Sequence, residues 1–189
     1  MSHRIEYLTQ TEVKSLLDKA KSDNYRNYVM LLLGYRHGLR CSEIINITVQ
    51  NVDLDAGNIR CERKKGSVSN WQALQKDEVK AIRVWMKERP KTEYPHLFTS
   101  TTGKPISRIR FFQIFQGLAQ DIGLPPEKRH PHVLKHSIAT HMSGAGIPVQ
   151  VIQSRLGHKN ISNTMVYLSV SNPFVDKAVE MATANGAVV

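Results

Sequence analysis

Apolar residues recur at helical spacing along most of the chain, and this pattern predicts a mainly helical protein. Thr9 followed by Glu12 is typical of a helix start, because each side chain can accept a hydrogen bond from the other residue's backbone N–H. The apolar positions behind this pair fit one face of a helix: Val13, Leu16, Leu17 and Ala20. Residues 24–37 predict a second helix, which ends at Gly38. Because this helix would be apolar on nearly all of its faces, we expect it to be buried.

Glycines and prolines divide the rest of the chain into shorter predicted helices. A short helix follows Arg40, and a longer one stops before Pro90. The helix predicted over 107–122 is expected to bury Phe112, Phe115, Leu118 and Ala119. The remaining helices are predicted over 131–143, over 148–156, from an N-cap at Asn160, and over 174–183.

Two short segments between these helices, 58–62 and 70–74, predict a β-hairpin with a basic turn over 63–67. The sequence shows neither internal repeats nor a long linker. The predicted fold class is therefore mainly α with a small antiparallel β-sheet (α+β). We expect a single domain over 1–189, in which residues 171–189 form a C-terminal tail or helix.

The amino-acid composition restricts the possible functions of the chain more than it restricts the possible folds. The 189 residues include 26 Lys and Arg but 16 Asp and Glu, so the formal net charge is +10. Such an excess favours a polyanionic partner, with nucleic acid first and an acidic membrane surface second. No apolar run approaches the roughly 20 residues of a membrane span, and the N-terminus lacks a signal-peptide core. Two cysteines without a CxxC pattern predict neither a disulfide framework nor a zinc ribbon, and favour a reducing cytoplasm.

The charge is unevenly distributed. No Asp or Glu occurs between Glu127 and Asp176, a stretch rich in basic and imidazole side chains: Lys128, Arg129, His130, His132, Lys135, His136, His141, Arg155, His158 and Lys159. This composition fits a phosphate-facing surface, although a solvated basic face explains it too. No carboxylate in this stretch can serve as a general base or hold Mg²⁺.

The helix that begins at Pro131 carries the densest candidate chemistry. At about 100° per residue, His132, Lys135 and His136 share one face with Ala139, while Leu134, Ile138 and Met142 face elsewhere, toward a core. The polar face is either a phosphate cradle near the positive helix end or a solvated surface. A metal site is not predicted, because Val133 stands where an HExxH zinc motif needs Glu.

In the helix predicted to begin at Asn160, the apolar stripe comprises Ile161, Met165 and Leu168. Tyr167 lies away from this stripe. Such a tyrosine is either an ordinary surface residue or an exposed nucleophile. The second alternative needs nearby cations to lower the cost of forming the phenolate.

Four segments together resemble the tyrosine recombinase (phage integrase) family. GLRCSEI at 38–44 is similar to its GLRxSE box, and PHVLKHSIATH at 131–141 to its HxLRHxxATH box. LGHKN at 156–160, with Tyr167 nine residues after His158, is similar to the LGH…Y box. The basic turn at 63–67 resembles the strand-turn-strand that carries the family lysine. The resemblance covers residues about 8–170, and it looks nearest to Xer-type enzymes and short fimbrial phase-variation invertases.

The resemblance implies a catalytic role for six residues. Arg40 would grip the scissile phosphate, and Lys65, or its neighbour Lys64, would protonate the 5′-hydroxyl leaving group. His132 would transfer a proton or contact the phosphate, and His158 would donate to a non-bridging oxygen. Tyr167 would attack to form a 3′-phosphotyrosyl link. Lys135 occupies the position of the family's second arginine, and Glu43 and His136 would have supporting roles.

The resemblance also implies partners. We expect double-stranded DNA as substrate, a homotetramer on DNA, a monomer without it, and neither cofactor nor membrane. The tail after Tyr167 would dock on a neighbouring protomer. The family's N-terminal core-binding domain is expected to be absent from this chain. A bacterial or phage origin and association with the nucleoid would follow. The candidate DNA contacts are Arg63, Arg108, Arg110, Lys128, Arg129 and Lys159, although surface solvation is the simpler role for Arg108 and Arg110.

The departure from the family pattern is Lys135. Lysine keeps the charge of arginine but loses its two-pronged geometry, which predicts a slowed enzyme. Two alternatives stay open: a DNA-binding or regulatory module that has lost catalysis, and a topoisomerase-like activity that cuts and reseals without exchanging partners.

Overall fold

The computed structural model describes residues 5–64, 67–168 and 183–184. In this part of the chain, eight α-helices and three strands follow in the order α1 (Gln10–Asp23), α2 (Tyr25–Arg36), α3 (Cys41–Ile45), β1 (Val52–Asp53), β2 (Asn58–Cys61), β3 (Asn70–Ala73), α4 (Lys76–Glu88), α5 (Arg108–Asp121), α6 (His132–Gly144), α7 (Val149–Leu156) and α8 (Ser162–Met165). The strands form one antiparallel sheet in the order β1-β2-β3. The predicted fold class is confirmed, and β1 is a strand that the sequence pattern did not predict.

Local capping explains why several helices begin where they were predicted to begin. The Thr9 hydroxyl accepts a hydrogen bond from the Glu12 N–H at 3.1 Å, and the Glu12 carboxylate accepts one from the Thr9 N–H at 2.7 Å. The Ser107 hydroxyl likewise accepts the Arg110 N–H at the start of α5. These side chains satisfy backbone donors that have no partner inside the helix.

Helix α2 lies at the centre of the core, as its apolar sequence predicted. Its run from Val29 to Leu33 is buried, and the helix packs against α1, α4 and α6. Helix α6 is buried on more than one face, because Val133, Leu134 and Ala139 are all inaccessible to solvent. Since α6 and the segment after α2 are both fixed by this packing, their polar residues are held in a constant relative position.

Two predicted core assignments are wrong. Phe112 is 42% exposed, whereas Phe111 is buried. The buried stripe of α5 runs through Phe111, Ile114, Phe115 and Leu118, which fits helical spacing better than the predicted set.

The second correction concerns the last described helix. Ile161, Met165 and Leu168 are exposed, and the buried residues are Thr164 and Tyr167. Helix α8 has a single turn and begins after Ile161, while the Asn160 side chain accepts a hydrogen bond from the Ser162 N–H. The apolar stripe was predicted for a longer helix than α8, and it therefore placed the buried face on the wrong side of this segment. The helix predicted over 174–183 lies, apart from Thr183, outside the described residues.

No helix in the described ranges is both long enough and apolar enough to cross a lipid bilayer.

Candidate functional site

Arg40 stands at a sharp turn between α2 and α3. The turn needs Gly38, whose φ is +58° and where a Cβ would come within 2.5 Å of Leu156 Cδ2. Glu43, which is fully buried, accepts hydrogen bonds at 2.9 Å from both the backbone N–H and the guanidinium of Arg40. Burial would raise the pKa of Glu43, but the Arg40 N–H and the charges of Arg63 and Lys135 lower it overall. Glu43 is therefore an ionised anchor for Arg40.

The Arg40 side chain remains 35% exposed and lines two clefts that meet at it. The first cleft, of about 430 Å³, also contains Lys64 and His132. The second, of about 690 Å³, also contains Ser67 and His158. The structure thus brings together residues from four segments that are distant along the chain, and it places both histidines beside one arginine.

The start of α6 supplies two histidines whose rings are in contact. The rings of His132 and His136 meet edge to face with centroids 4.4 Å apart. Burial, followed by the positive charges of Lys135 and Arg40, lowers the pKa of His132. Burial, with a smaller effect of His132, lowers the pKa of His136 to about 4. Both imidazoles are therefore neutral near pH 7.

Tyr167 is buried, with 3% of its surface exposed. Its hydroxyl lies 2.9 Å from His136 Nδ1, and its carbonyl oxygen accepts the Ser143 hydroxyl. Burial raises the pKa of Tyr167 to about 12, against a smaller opposite effect of Arg40. The prediction that Tyr167 is exposed to solvent is wrong in this structure, because the turn after α8 directs the phenol toward α6. The role of Tyr167 as nucleophile stays a prediction.

Lys135 is also buried, at 1% exposure, so the alternative of a solvated polar face is wrong for this residue. Its ammonium donates a hydrogen bond to the Leu156 carbonyl at 2.8 Å. Burial first, then the charges of Arg63 and Arg40, lowers the pKa of Lys135 to about 7. The α6 lysine is thus joined directly to the end of α7.

His158 follows Gly157, which has a φ of +68° and ends α7. The His158 Nδ1 lies 3.0 Å from the Thr164 hydroxyl, a partner that the sequence pattern did not reveal. Burial, followed by the charges of Lys135 and Arg40, lowers the pKa of His158 to about 4. When the Thr164 hydroxyl donates to Nδ1, the Nε2–H is free to face the cleft.

Of the two lysines considered for the leaving group, Lys65 lies outside the described residues. Lys64 is exposed and lines the cleft that holds Arg40 and His132, and its backbone N–H lies 3.4 Å from Glu43 Oε1. The hairpin turn therefore adjoins the Arg40 cleft.

The candidate DNA contacts differ in accessibility. Arg108, Arg110 and Lys159 are exposed. The Lys128 ammonium is paired with both carboxylate oxygens of Glu12 at 2.9 Å, and Arg129 donates to the Leu124 carbonyl. The assignment of Arg63 to a DNA-facing surface is wrong, because its side chain is fully buried and paired with Glu43. Sequence reasoning missed Phe112, which lines the cleft beside Arg108 and Arg40.

The described residues contain no cluster of three or more His, Cys, Asp or Glu side chains arranged to hold a metal ion.

The family model described as the phage integrase family matches residues 6–172, and the chain belongs to this family. Its catalytic-domain fold and its relatives are those of the site-specific tyrosine recombinases.

Two relatives show how far the similarity extends. The type 1 fimbriae regulatory protein FimB of Escherichia coli K12 is 38% identical over 168 residues, which cover 85% of this chain and 82% of FimB. The tyrosine recombinase XerA of Pyrococcus furiosus is 30% identical over 178 residues, which cover 93% of this chain and 61% of XerA.

Solved structures of recombinases have the same fold as this chain. A XerA recombinase crystal structure superposes with a TM-score of 0.81 at 27% identity, covering 98% of this chain and 66% of that one. The fold also matches a XerH site-specific recombinase in a post-cleavage complex with its difH substrate, with a TM-score of 0.79 at 18% identity, covering 93% of this chain and 52% of that one. This chain therefore spans about two thirds or less of these Xer chains.

Proposed function

We propose that this chain is a site-specific DNA strand transferase that cuts and rejoins duplex DNA through a covalent bond to Tyr167. The observation that supports it most is the position of Arg40, which shares one cleft with His132 and the adjoining cleft with His158. A tetrahedral phosphate needs donors on more than one side as charge accumulates on its oxygens. This arrangement supplies such donors from side chains of the chain itself.

The reaction has one bond formed and one broken at phosphorus. The Tyr167 oxygen attacks in line and becomes bonded to phosphorus, while the bond to the 5′-oxygen breaks. Lys65 gives the departing oxygen its proton, so the products are a 3′-phosphotyrosyl link and a free 5′-hydroxyl. Arg40 and His158 neutralise charge on the non-bridging oxygens, and His132, which contacts the phosphate as a neutral imidazole, takes up the proton that Tyr167 loses. Because the link conserves the phosphodiester energy, a 5′-hydroxyl can reverse the step without a cofactor.

Lys135 is proposed to slow this enzyme. Its ammonium is a point donor already bonded to the Leu156 carbonyl, whereas a guanidinium could keep that bond and offer another N–H to the phosphate. One charge-assisted bond fewer corresponds to about 1.5–3 kcal/mol, or roughly ten- to a hundred-fold in rate. Lys135→Arg should therefore speed cleavage by that order at a pH near 6.

A suicide substrate tests the function. A duplex nicked close to the cleavage position loses the short 5′-hydroxyl fragment after attack, so the covalent adduct accumulates. The wild-type chain should form an adduct that survives denaturing electrophoresis, and Tyr167→Phe should form none. A chain that binds the duplex but forms no adduct would instead be a binding module. Relaxation of supercoiled DNA without exchange between paired sites would favour the topoisomerase-like alternative.

Assembly is proposed to follow from strand exchange, which requires four protomers around two duplexes. We expect a monomer without DNA and a tetramer on paired sites, with residues 171–180 of each protomer docked on a neighbour. Gel filtration of the full chain and of a 1–170 chain, each with and without DNA, tests this. Identical assembly of both chains would contradict a role for the tail. In a cell, the proposed substrate would place the protein at the nucleoid.

A further inference from the structure

We propose that Arg63, at the base of the β-hairpin, is a positioning residue for DNA cleavage that joins the segment carrying Arg40 to the segment carrying His158. It acts through these two residues and does not touch DNA. The inference rests on the proposed function and adds to it a residue that the family boxes do not contain.

The Arg63 guanidinium makes four hydrogen bonds to two separate parts of the chain. One terminal nitrogen donates to the Gly38 carbonyl at 2.9 Å and to Glu43 Oε2 at 3.0 Å. The other donates to the His37 carbonyl at 2.8 Å and to the Arg155 carbonyl at 2.7 Å. Two terminal nitrogens carry four N–H bonds, so all of them are used. Three of the acceptors lie on the Arg40 side, and the fourth is near the end of α7.

The stem of the same side chain packs against Gly157, the residue before His158. A Cβ at Gly157 would lie 2.9 Å from Arg63 Nε and 3.0 Å from Arg63 Cγ. The Arg63 backbone is held in turn by the Ser69 hydroxyl, which accepts its N–H at 2.9 Å. The hairpin thus inserts one fully buried side chain between the two segments.

Glu43 transmits the effect to Arg40. Its Oε2 accepts both the Arg40 backbone N–H and the Arg63 guanidinium, while Oε1 accepts the Arg40 guanidinium. Removal of Arg63 would leave a buried carboxylate short of a charged partner, and the Arg40 side chain would lose a fixed orientation. On the other side, the turn at Gly157 would lose the packing that sets the position of His158.

A lysine cannot replace this arginine fully. Its ammonium has three N–H bonds on a single atom, whereas the four acceptors lie on two sides of the guanidinium. Arg63→Lys should therefore keep the charge beside Glu43 but weaken the link to α7. We expect an intermediate effect from this variant.

The test uses the full chain and the nicked duplex, with single-turnover adduct formation measured at saturating DNA. Arg63→Met should lower the saturated rate by thirtyfold or more, and Arg63→Lys by about three- to tenfold. DNA affinity, measured in a Tyr167→Phe background, should stay within about threefold of the parent. Arg60→Met, a matched change of a partly exposed arginine on the same hairpin, should leave both values within about twofold.

A double variant separates positioning from a general loss of structure. If Arg63 works through Arg40, the rate loss in Arg63→Met/Arg40→Lys should be at least tenfold smaller than the product of the two single losses. Thermal unfolding monitors folding, and Arg63→Lys alone decides the question if Arg63→Met does not fold. A wild-type rate for folded Arg63→Lys, fully multiplicative losses, or weakened DNA binding at an unchanged saturated rate would overturn the inference. Failure of the wild-type chain to form any adduct would instead contradict the proposed function.

Discussion

At the scale of single residues, the site is a group of buried or half-buried cations and neutral imidazoles around one carboxylate. Glu43 pairs with Arg40 and Arg63, and its pKa is lowered further by the charge of Lys135. Burial first, and then this excess of positive charge, lowers the pKa values of Lys135 and His158, so holding the charged forms here costs free energy in the protein alone. A phosphate diester entering the cleft would supply the missing negative charge, so we expect DNA to bind most favourably at this point.

The pH dependence of cleavage should reveal the protonation of Lys135. Its pKa of about 7 means that the ammonium is mostly charged at pH 6 and mostly neutral at pH 8.5, whereas an arginine stays charged throughout. At subsaturating DNA, where rates report the free protein, the rate of Lys135→Arg divided by that of the wild type should rise roughly tenfold from pH 6 to 8.5. The ratio cancels the titration of Tyr167 and the histidines. A ratio that is constant over this range would show that Lys135 remains charged.

The contact between Tyr167 and His136 should be measurable as stability. With a pKa of about 4, His136 is neutral at pH 7, and its Nδ1 lies within hydrogen-bond distance of the Tyr167 hydroxyl, from which it accepts when the ring proton is on Nε2. His136→Ala should lower the free energy of unfolding by about 1–3 kcal/mol, because it removes this hydrogen-bond partner and the volume of a half-buried ring. His136→Asn, which keeps a polar side chain near Nδ1, should cost about 1 kcal/mol less than His136→Ala. Urea unfolding at pH 7 provides the comparison, and equal losses for the two variants would exclude a stabilising hydrogen bond.

At the scale of elements, three of the proposed catalytic residues lie where helices end, whereas His132, Lys135 and His136 lie in the first turns of α6. Arg40 follows the end of α2, His158 follows the end of α7, and Tyr167 follows the single turn of α8. Gly38 and Gly157 allow the chain to turn sharply at the ends of α2 and α7, since both glycines have positive φ. The buried position of Tyr167 also implies that α8 must shift before the phenol can reach a phosphate. We expect DNA binding to provide that shift.

The turn at Gly157 allows a controlled test of this element. Gly157 and Gly123 both have positive φ, at +68° and +72°. An alanine would therefore have a similarly unfavourable backbone energy at either position. Only at Gly157 would the Cβ clash, at 2.8 Å from the Val68 carbonyl and 2.9 Å from Arg63 Nε. Gly157→Ala should therefore destabilise the protein by about 1–3 kcal/mol more than Gly123→Ala in urea unfolding. It should also reduce adduct formation, whereas Gly123→Ala should not. Equal effects of the two variants would show that the hairpin and α7 are not tightly packed.

At the scale of the whole molecule, the net charge of +10 should make DNA binding strongly dependent on salt. Arg108 is exposed and lines the Arg40 cleft, whereas Arg83 is exposed but lies 3.5 Å from Asp55. Arg108→Gln should reduce the slope of log affinity against log salt by about one, and Arg83→Gln should leave it unchanged. Both variants lose one charge, so equal slopes would mean that only net charge matters. Fluorescence anisotropy with a labelled duplex gives the slopes.

The sequence predicts what is decided locally and misses what is decided by packing. The helix starts at Thr9 and Ser107 and the break at Gly38 were predictable, because capping and turn geometry depend on neighbouring residues. The exposure of Phe112 and the burial of Tyr167 were not, since both depend on how α5 and α8 rotate against the core. Arg63 shows the same limit, because three of its four acceptors are backbone carbonyls that no side-chain pattern reveals.

The central claim is that Tyr167 attacks a phosphate held by Arg40, His132 and His158. Protease digestion of the adduct from a nicked duplex, followed by mass spectrometry of the DNA-linked peptide, tests it most directly. We predict a single modified peptide in which Tyr167 carries a 3′-phosphate, together with a released fragment whose 5′ end polynucleotide kinase can label without prior phosphatase treatment. Attachment at another residue, linkage to a 5′-phosphate, or the same adduct from Tyr167→Phe would contradict it.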